Sequence, residues 1–139
     1  MKAIDVLVLH RIKGVGNKAQ LALIKYYKDK RLNSLEQLLE FDLNQTPILK
    51  RAIKLLQDFF SNNLYLPTKE ECENDLKKWR STDIIVVAFG SDHYPIQLDS
   101  LDDPPALLFC KGNLKLLSSP KSITVVGTRE NTKLGEKIA

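Results

Sequence analysis

The stretch STDIIVVAFG, residues 81–90, marks the point at which the sequence changes character. Its centre, IIVVAF at 84–89, is short, apolar and rich in β-branched residues, which is typical of a strand buried on both faces. ALLFC at 106–110 and SITVVG at 122–127 show the same pattern, and turns rich in Gly, Pro, Asp and Ser lie between them. This part of the chain therefore predicts the beginning of an α/β unit with a parallel sheet.

The sequence before this stretch has helical patterns instead. AIDVLVLHRI at 3–12 is apolar enough for a packed helix, and NKAQLALIKYY at 17–27 places apolar residues at helical spacing. Start signals predict three more helices: SLEQLLEF with a capping box of Ser34 and Gln37, TPILKRAIKLLQDFF with Thr46 as N-cap and Pro47 in the first turn, and TKEECENDLKKWR with a capping box of Thr68 and Glu71. The apolar stripe of the TPILK helix is predicted to be Ile48, Ala52, Leu55, Leu56 and Phe59.

These patterns predict a fold between α+β and α/β, with a helical domain at 1–80 and a second domain at 81–139. A parallel sheet needs crossover helices to cover its faces, and three short strands would leave apolar surface exposed. We therefore expect the second domain to be the truncated beginning of a larger fold, completed by further sequence or by a partner chain.

Composition narrows the class of protein. The chain has 139 residues, of which 27% are charged, as in an ordinary soluble globular protein. Its two cysteines, Cys72 and Cys110, form neither a CxxC pair nor a disulfide framework, so free thiols in a reducing cytoplasm are expected. No secretion signal and no apolar run of the ~18 residues that a membrane helix needs is present, so we expect no membrane partner.

The positive charge is concentrated near the N-terminus. Residues 1–80 hold 15 Lys and Arg against 10 Asp and Glu, and residues 81–139 hold 6 against 7. Within the first 31 residues the count is 8 against 2. Such a local excess attracts phosphate. A solvated helix surface is the alternative interpretation.

The stretch RIKGVGNKAQ, residues 11–20, has the form of a helix-hairpin-helix element. Gly14 and Gly16 allow a tight turn between two helices, and such a turn can direct backbone N–H groups at a nucleic-acid phosphate. Lys13 and Lys18 would add charge contacts around Val15. The predicted DNA contact is therefore Lys13, Gly14, Val15, Gly16 and Lys18. A turn that only packs two helices together is the alternative.

The connecting stretch at 90–113 holds polar residues that do not form a catalytic pattern. His93 has no Ser or Cys in a nucleophile elbow near it, and the aspartates at 99, 102 and 103 lack the spacing of a calcium loop. We predict no catalytic residue, no metal and no cofactor. The prolines are expected to fix turns and Tyr94 to pack in the interior.

The stretch ITVVGTRENTKLG, residues 123–135, reads as a strand, a polar turn and a helix start. Gly127 allows a sharp bend, Thr128 supplies a hydroxyl and Arg129 a planar fork suited to phosphate, while Thr132 can cap the helix. The predicted DNA phosphate-binding residues are therefore Gly127, Thr128, Arg129 and Thr132. The stretch is neither GxGxxG nor a P-loop. An ordinary strand–helix turn with a surface arginine is the alternative.

Residues 84–139 closely resemble the DprA/Smf family of DNA-processing proteins. The family pattern is YP-x-x-L, then DPP, then an apolar strand followed by a glycine, then VGxR with a Ser or Thr and a Gly after it. The matching positions are Tyr94, Pro95, Leu98, Asp103, Pro104, Pro105, Gly112, Val126, Gly127, Arg129, Thr132 and Gly135. The helical first 80 residues are more loosely similar to the family's SAM-like or helix-hairpin-helix region.

The resemblance implies an extended Rossmann-like fold and a single-stranded-DNA-binding protein of natural transformation. Such a protein protects incoming DNA, helps to load the RecA recombinase, forms a homodimer at full length and is not an enzyme. The family's second glycine-rich loop, of the SGxAxGID kind, does not occur in these 139 residues. Two alternatives stay open: a Rossmann-like nucleotide-binding enzyme of the phosphoribohydrolase type, whose catalytic carboxylate and glycine-rich motif are not seen, and a helical protein-interaction module.

Overall fold

The computed structural model of the chain describes residues 1–39, 47–121, 123 and 132–138. In chain order its elements are α1 (Ala3–Arg11), α2 (Asn17–Asp29), a 3₁₀ helix (Glu36–Leu39), α3 (Pro47–Ser61), α4 (Tyr65–Ser81), β1 (Ile84–Ala88), α5 (Ile96–Asp99), β2 (Leu107–Lys111), a second 3₁₀ helix (Leu114–Ser118) and α6 (Lys133–Ile138). Helices followed by a small two-stranded sheet make this an α+β architecture, as the sequence predicts. In the described part of the chain, no helix is long and apolar enough to cross a membrane.

Helix α1 lies at the centre of the molecule, because its sequence is apolar on nearly every side. Four successive residues, Val6 to Leu9, are buried, and the helix packs against α2, α4 and the sheet. The main core lies between the helices, where Leu23, Leu38 and Leu56 are completely buried. Burying a leucine stabilises the fold by roughly 1.5–3 kcal/mol, so this core is the main source of stability.

Two of the predicted helix starts are wrong. Helix α4 begins at Tyr65, so Thr68 lies inside its first turns, where its N–H donates to the carbonyl of Leu64. Pro67 tolerates this position because a first-turn N–H has no partner within the helix. Near Ser34 the chain forms a 3₁₀ turn, and the Gln37 side chain accepts a hydrogen bond from the N–H of Asn33 rather than forming the predicted box.

The buried stripe of α3 is rotated from the predicted one. Leu49 and Ile53 are buried, whereas Ile48 is half exposed. Pro47 begins the helix as predicted, and Thr46 lies outside the described residues. The stripe Leu49, Ala52, Ile53, Leu56 and Phe59 has helical spacing too, so periodicity alone did not decide between the two phases.

The sheet is antiparallel, and the parallel sheet expected from the sequence is wrong for β1 and β2. Ile84 pairs with Lys111 and Ala88 with Leu107. The connection between the strands holds only the single-turn α5, which is too short to act as a crossover helix, so the chain simply turns back. Burial also increases along β1, since Ile85 is 39% exposed while Val87 and Ala88, which lie on opposite faces of the strand, are both buried. The third predicted strand, at 122–127, falls on residues outside the described ones, apart from Ile123.

A second buried group of residues joins the helices to the sheet, and we call it the strand-side cluster. Its members are Val6, Leu21, Ile24, Val87, Ala88, Phe89, Tyr94 and Ala106. Helix residues and residues after position 80 therefore share one apolar interior. The division into domains at 1–80 and 81–139 stays a prediction. The strand-side cluster packs across this boundary, so separating the two parts would expose its apolar side chains.

Candidate nucleic-acid interface

The predicted helix-hairpin-helix element forms a closed turn between α1 and α2. The N–H of Val15 donates to the carbonyl of Ile12 at 3.1 Å, which brings the chain back on itself. Gly14 has a φ of +92°, a conformation that strains any residue with a side chain. The two glycines predicted to allow the turn thus differ in role, because Gly16 has an ordinary φ of −71° and serves as the N-cap of α2.

Val15 and Gln20 hold the turn from inside. The Val15 side chain is 3% exposed and belongs to the main core. Gln20, itself 2% exposed, donates from Nε2 to the Val15 carbonyl at 2.8 Å. Both backbone polar groups of Val15 are therefore used internally, so this residue shapes the turn and leaves external contacts to its neighbours. The signal for Gln20 in the sequence is a polar residue on an otherwise apolar helix face.

The outer side of the turn presents positive charge and free donors. Lys13 and Lys18 are exposed, and no side chain caps the N-terminus of α2. The N–H groups in the first turn of a helix have no intrahelical partner, and the helix dipole makes this end attractive to an anion. The ion pairs within the described residues are Arg11–Asp75 and Lys30–Asp29, so neither Lys13 nor Lys18 is paired with a carboxylate there.

An open groove of about 420 Å³ lies beside the turn. Its lining includes Gly14, Gly16 and Lys18 from the hairpin and Arg51 from α3. Arg51 was not among the predicted site residues, because no local signal relates a helix residue to a turn about 35 positions earlier. A guanidinium can bind two phosphate oxygens at once, so Arg51 adds a second cation beside Lys18 to the lining of the groove.

The groove also touches the segment Asp103–Ala106, through the side chain of Asn17. Asn17 Nδ2 donates to Asp103 Oδ1 at 2.7 Å and to the Pro104 carbonyl at 2.8 Å, and Asn17 Oδ1 accepts from the N–H of Ala106 at 2.9 Å. Asn17 was not among the predicted site residues. These three hydrogen bonds join the hairpin to a segment about 86 residues later in the chain.

The tyrosine of the YP motif packs inside, as predicted. Tyr94 is 7% exposed, its ring meets Phe89 edge-on at a centroid distance of 5.2 Å, and its hydroxyl donates to the Pro105 carbonyl at 2.8 Å. Burial, and then the charge of Asp99, raise the pKa of Tyr94, so the hydroxyl stays a donor at neutral pH. The YP and DPP motifs therefore hold each other in place.

The second predicted site falls almost entirely outside the described residues. Gly127, Thr128 and Arg129 are among the residues that the structure does not describe. Thr132 immediately precedes α6, and its Oγ1 accepts a hydrogen bond from the N–H of Gly135 at 3.1 Å. Thr132 caps the helix as predicted, and its hydroxyl hydrogen remains able to donate to a phosphate.

Within the described residues, no group of three or more His, Cys, Asp or Glu side chains could hold a metal ion. The thiol pKa values of Cys72 and Cys110 are both raised by burial. A raised thiol pKa disfavours the thiolate, which is the nucleophilic form.

The second part of the chain is similar to a known protein family. Residues 85–139 match the family model of DNA recombination-mediator protein A. The DNA processing protein DprA of Bacillus subtilis (strain 168) is 41% identical over 63 residues, which cover 45% of this chain and 21% of that protein. The DNA processing protein DprA of Streptococcus pneumoniae (strain ATCC BAA-255 / R6) is 52% identical over 46 residues, which cover 33% of this chain and 16% of that protein. The matches thus span about a fifth or less of the length of these relatives, and no solved structure matches the chain.

Proposed function

We propose that the chain, whose residues 85–139 match the family model of DNA recombination-mediator protein A, is a DprA-family DNA-processing protein that binds single-stranded DNA in natural transformation. In this proposal it protects incoming DNA and helps to load the RecA recombinase, with homodimerisation of the full-length protein and an extended Rossmann-like fold following from the same resemblance. It is proposed to act by binding and not as an enzyme.

The observation that carries the proposal for this chain is the hairpin. Its turn combines Gly14 at a positive φ, a helix N-terminus that no side chain caps, and lysines at positions 13 and 18 that no described carboxylate pairs, beside an open groove that Arg51 also lines. Backbone donors and positive charge recognise the phosphate groups that all nucleic acids share, whereas sequence is read at the base edges. The hairpin is therefore proposed to contribute affinity that is independent of DNA sequence.

A second contact is proposed at Gly127, Thr128, Arg129 and Thr132, on the basis of the VGxR match to the family. The two sites would bind phosphates of the same strand. Together they would give single-stranded DNA a longer path over the protein than either site offers alone, with an affinity that depends strongly on salt.

The hairpin is tested by reversing its charge. We expect Lys13→Glu together with Lys18→Glu to weaken binding of labelled oligo-dT by at least about tenfold at low salt, and to reduce the salt slope by about 1.4, since each lost phosphate contact on a single strand contributes about 0.7. Fluorescence anisotropy at several salt concentrations measures both quantities. Titration with AMP in place of the oligonucleotide separates DNA binding from nucleotide binding.

The matched control applies the same charge change elsewhere. Lys77→Glu with Lys115→Glu alters two exposed lysines on α4 and after β2, and leaves the groove intact. Equal losses of affinity in the two double variants would mean that only net charge matters, and would remove the hairpin from the proposed interface.

A further inference from the structure

In the segment Asp103–Ala106, every backbone N–H and carbonyl from Pro104 onward has a hydrogen-bond partner. Pro104 and Pro105 have no N–H, so Ala106 carries the only backbone donor after Asp103 in this segment. This N–H donates a hydrogen bond to Asn17 Oδ1. The carbonyls of its last three residues are also occupied, since Pro104 accepts from Asn17, Pro105 from the Tyr94 hydroxyl and Ala106 from the N–H of Phe89 at 2.9 Å.

Asn17, the hydrogen-bond partner of this segment, lies where the hairpin turn passes into α2. Asn17 is the first residue of α2, directly after the N-cap Gly16 and before Lys18. Its amide uses both its nitrogen and its oxygen on the segment, so its side chain does not cap its own helix. We call these three hydrogen bonds the Asn17 clamp.

The clamp lies at the edge of a packed contact. Ala106 is 2% exposed and belongs to the strand-side cluster with Ile24 of α2. The backbone of Ala106 also bonds to Phe89, the residue after β1. Hydrogen bonds therefore link Asn17, at the start of α2, to Ala106, and Ala106 to Phe89 at the end of β1.

We propose that Asn17 is a positioning residue, which docks the hairpin on Asp103–Ala106 and so fixes the direction in which the turn presents its N–H groups and lysines to DNA. The inference rests on the proposed function of the hairpin. In this proposal, the DPP motif of this chain is the surface on which the N-terminal helices dock. Asp103 lines the groove as well, and the clamp holds its carboxylate against Asn17.

The test reverses the direction of one hydrogen bond. Asn17→Asp keeps the shape of the side chain but cannot donate, and it brings two carboxylates together where Nδ2 and Oδ1 were 2.7 Å apart. We expect it to weaken oligo-dT binding by at least about tenfold. Adding Asp103→Asn supplies a donor that faces the new carboxylate at position 17 and restores the net charge, so affinity should recover by at least about threefold. Recovery stays incomplete, because the Pro104 carbonyl still lacks the donor that Asn17 Nδ2 supplied.

The control is Asn17→Asp combined with Asp102→Asn, which has the same net charge but no donor opposite position 17. We expect it to stay as weak as Asn17→Asp alone. Equal recovery in both double variants would overturn the proposal, because the effect would then be one of charge. Unchanged affinity in Asn17→Asp would overturn the proposal too. If the aspartate variant does not fold, Asn17→Ala replaces it, and unchanged affinity in that variant would have the same meaning.

The proposal can fail without the proposed function failing. If the hairpin lysine variants lose affinity while Asn17→Asp and Asn17→Ala keep it, the hairpin binds DNA but the clamp does not position it. If the lysine variants keep their affinity, the hairpin is not a DNA contact and both proposals fail. Hydrogen exchange of the Ala106 amide, which should accelerate in Asn17→Asp and slow again with Asp103→Asn, reports directly whether the clamp opens and re-forms.

Discussion

The turn of the hairpin gives the sharpest prediction, the replacement of Gly14 by alanine. Gly14 has a φ of +92°, where a side chain costs roughly 1–2 kcal/mol. A Cβ at this position would also meet Leu55 Cδ1 at 3.2 Å, which is a tight contact with a flexible side chain. Alanine stabilises by about 0.4–1 kcal/mol through the unfolded chain, so we expect a net loss of about 1 kcal/mol.

Gly16→Ala is the matched comparison, since Gly16 has a φ of −71° and a Cβ there would meet nothing within 4 Å. Its lost N-cap preference and its gain through the unfolded chain roughly cancel, so its stability should stay within about 0.5 kcal/mol of the original. For 139 residues an unfolding entropy of about 2.1 cal/mol/K per residue converts 1 kcal/mol to about 3 °C in Tm.

Urea unfolding followed by circular dichroism and by tryptophan fluorescence measures the difference between the two variants. The chain has one tryptophan, Trp79, which packs edge-on against Phe109 of β2 at 5.0 Å and so reports the contact between α4 and the sheet. Circular dichroism reports the helices. Equal stabilities of Gly14→Ala and Gly16→Ala would refute the reasoning, because the positive φ would then carry no strain.

Four other outcomes are expected. Arg129→Ala should weaken oligo-dT binding of the full-length protein by about 1.5 kcal/mol, or roughly tenfold, with partial recovery in Arg129→Lys and an unchanged melting curve; unchanged affinity removes Arg129 from the site. Tyr94→Phe should lower the free energy of unfolding by about 1 kcal/mol in urea, because the Pro105 carbonyl loses its donor; no change would mean that water replaces the hydroxyl. Burial raises the pKa of the Cys72 thiol above its usual value of roughly 8.5, so the unfolded chain loses this proton first and stability should fall as pH rises through that usual range, less steeply in Cys72→Ala; parallel pH profiles of the two proteins would contradict this. A fragment of residues 1–80 should melt cooperatively but at a lower Tm than the whole chain, because it lacks the sheet side of the strand-side cluster; a disordered product would contradict the predicted boundary.

Local signals in the sequence determined much of the secondary structure. The helix of residues 3–12, the helix that follows Gly16, the first-turn position of Pro47 and the strand of residues 84–89 were all predicted close to where they lie. Each depends on interactions within about four residues or on a short apolar run, and such features are visible in the sequence. The hairpin turn belongs to the same class, because glycine is the residue that tolerates a positive φ.

Only the tertiary structure decided how these elements meet. Periodicity allowed two phases for α3, and packing against α2 selected the one that buries Leu49 and Ile53. Whether β1 and β2 run parallel depends on the path of the chain between them, which the composition of the strands does not reveal.

The candidate interface was likewise predicted only in part from the sequence. Sequence alone identified the glycines and lysines of the hairpin, since they lie within six consecutive residues. The approach of Arg51 to the groove and the hydrogen bonds of Asn17 to Asp103–Ala106 join residues far apart in the chain. Contacts over such separations follow from the packing of the whole core, because many long-range pairings are compatible with the same local patterns until the buried surfaces select one.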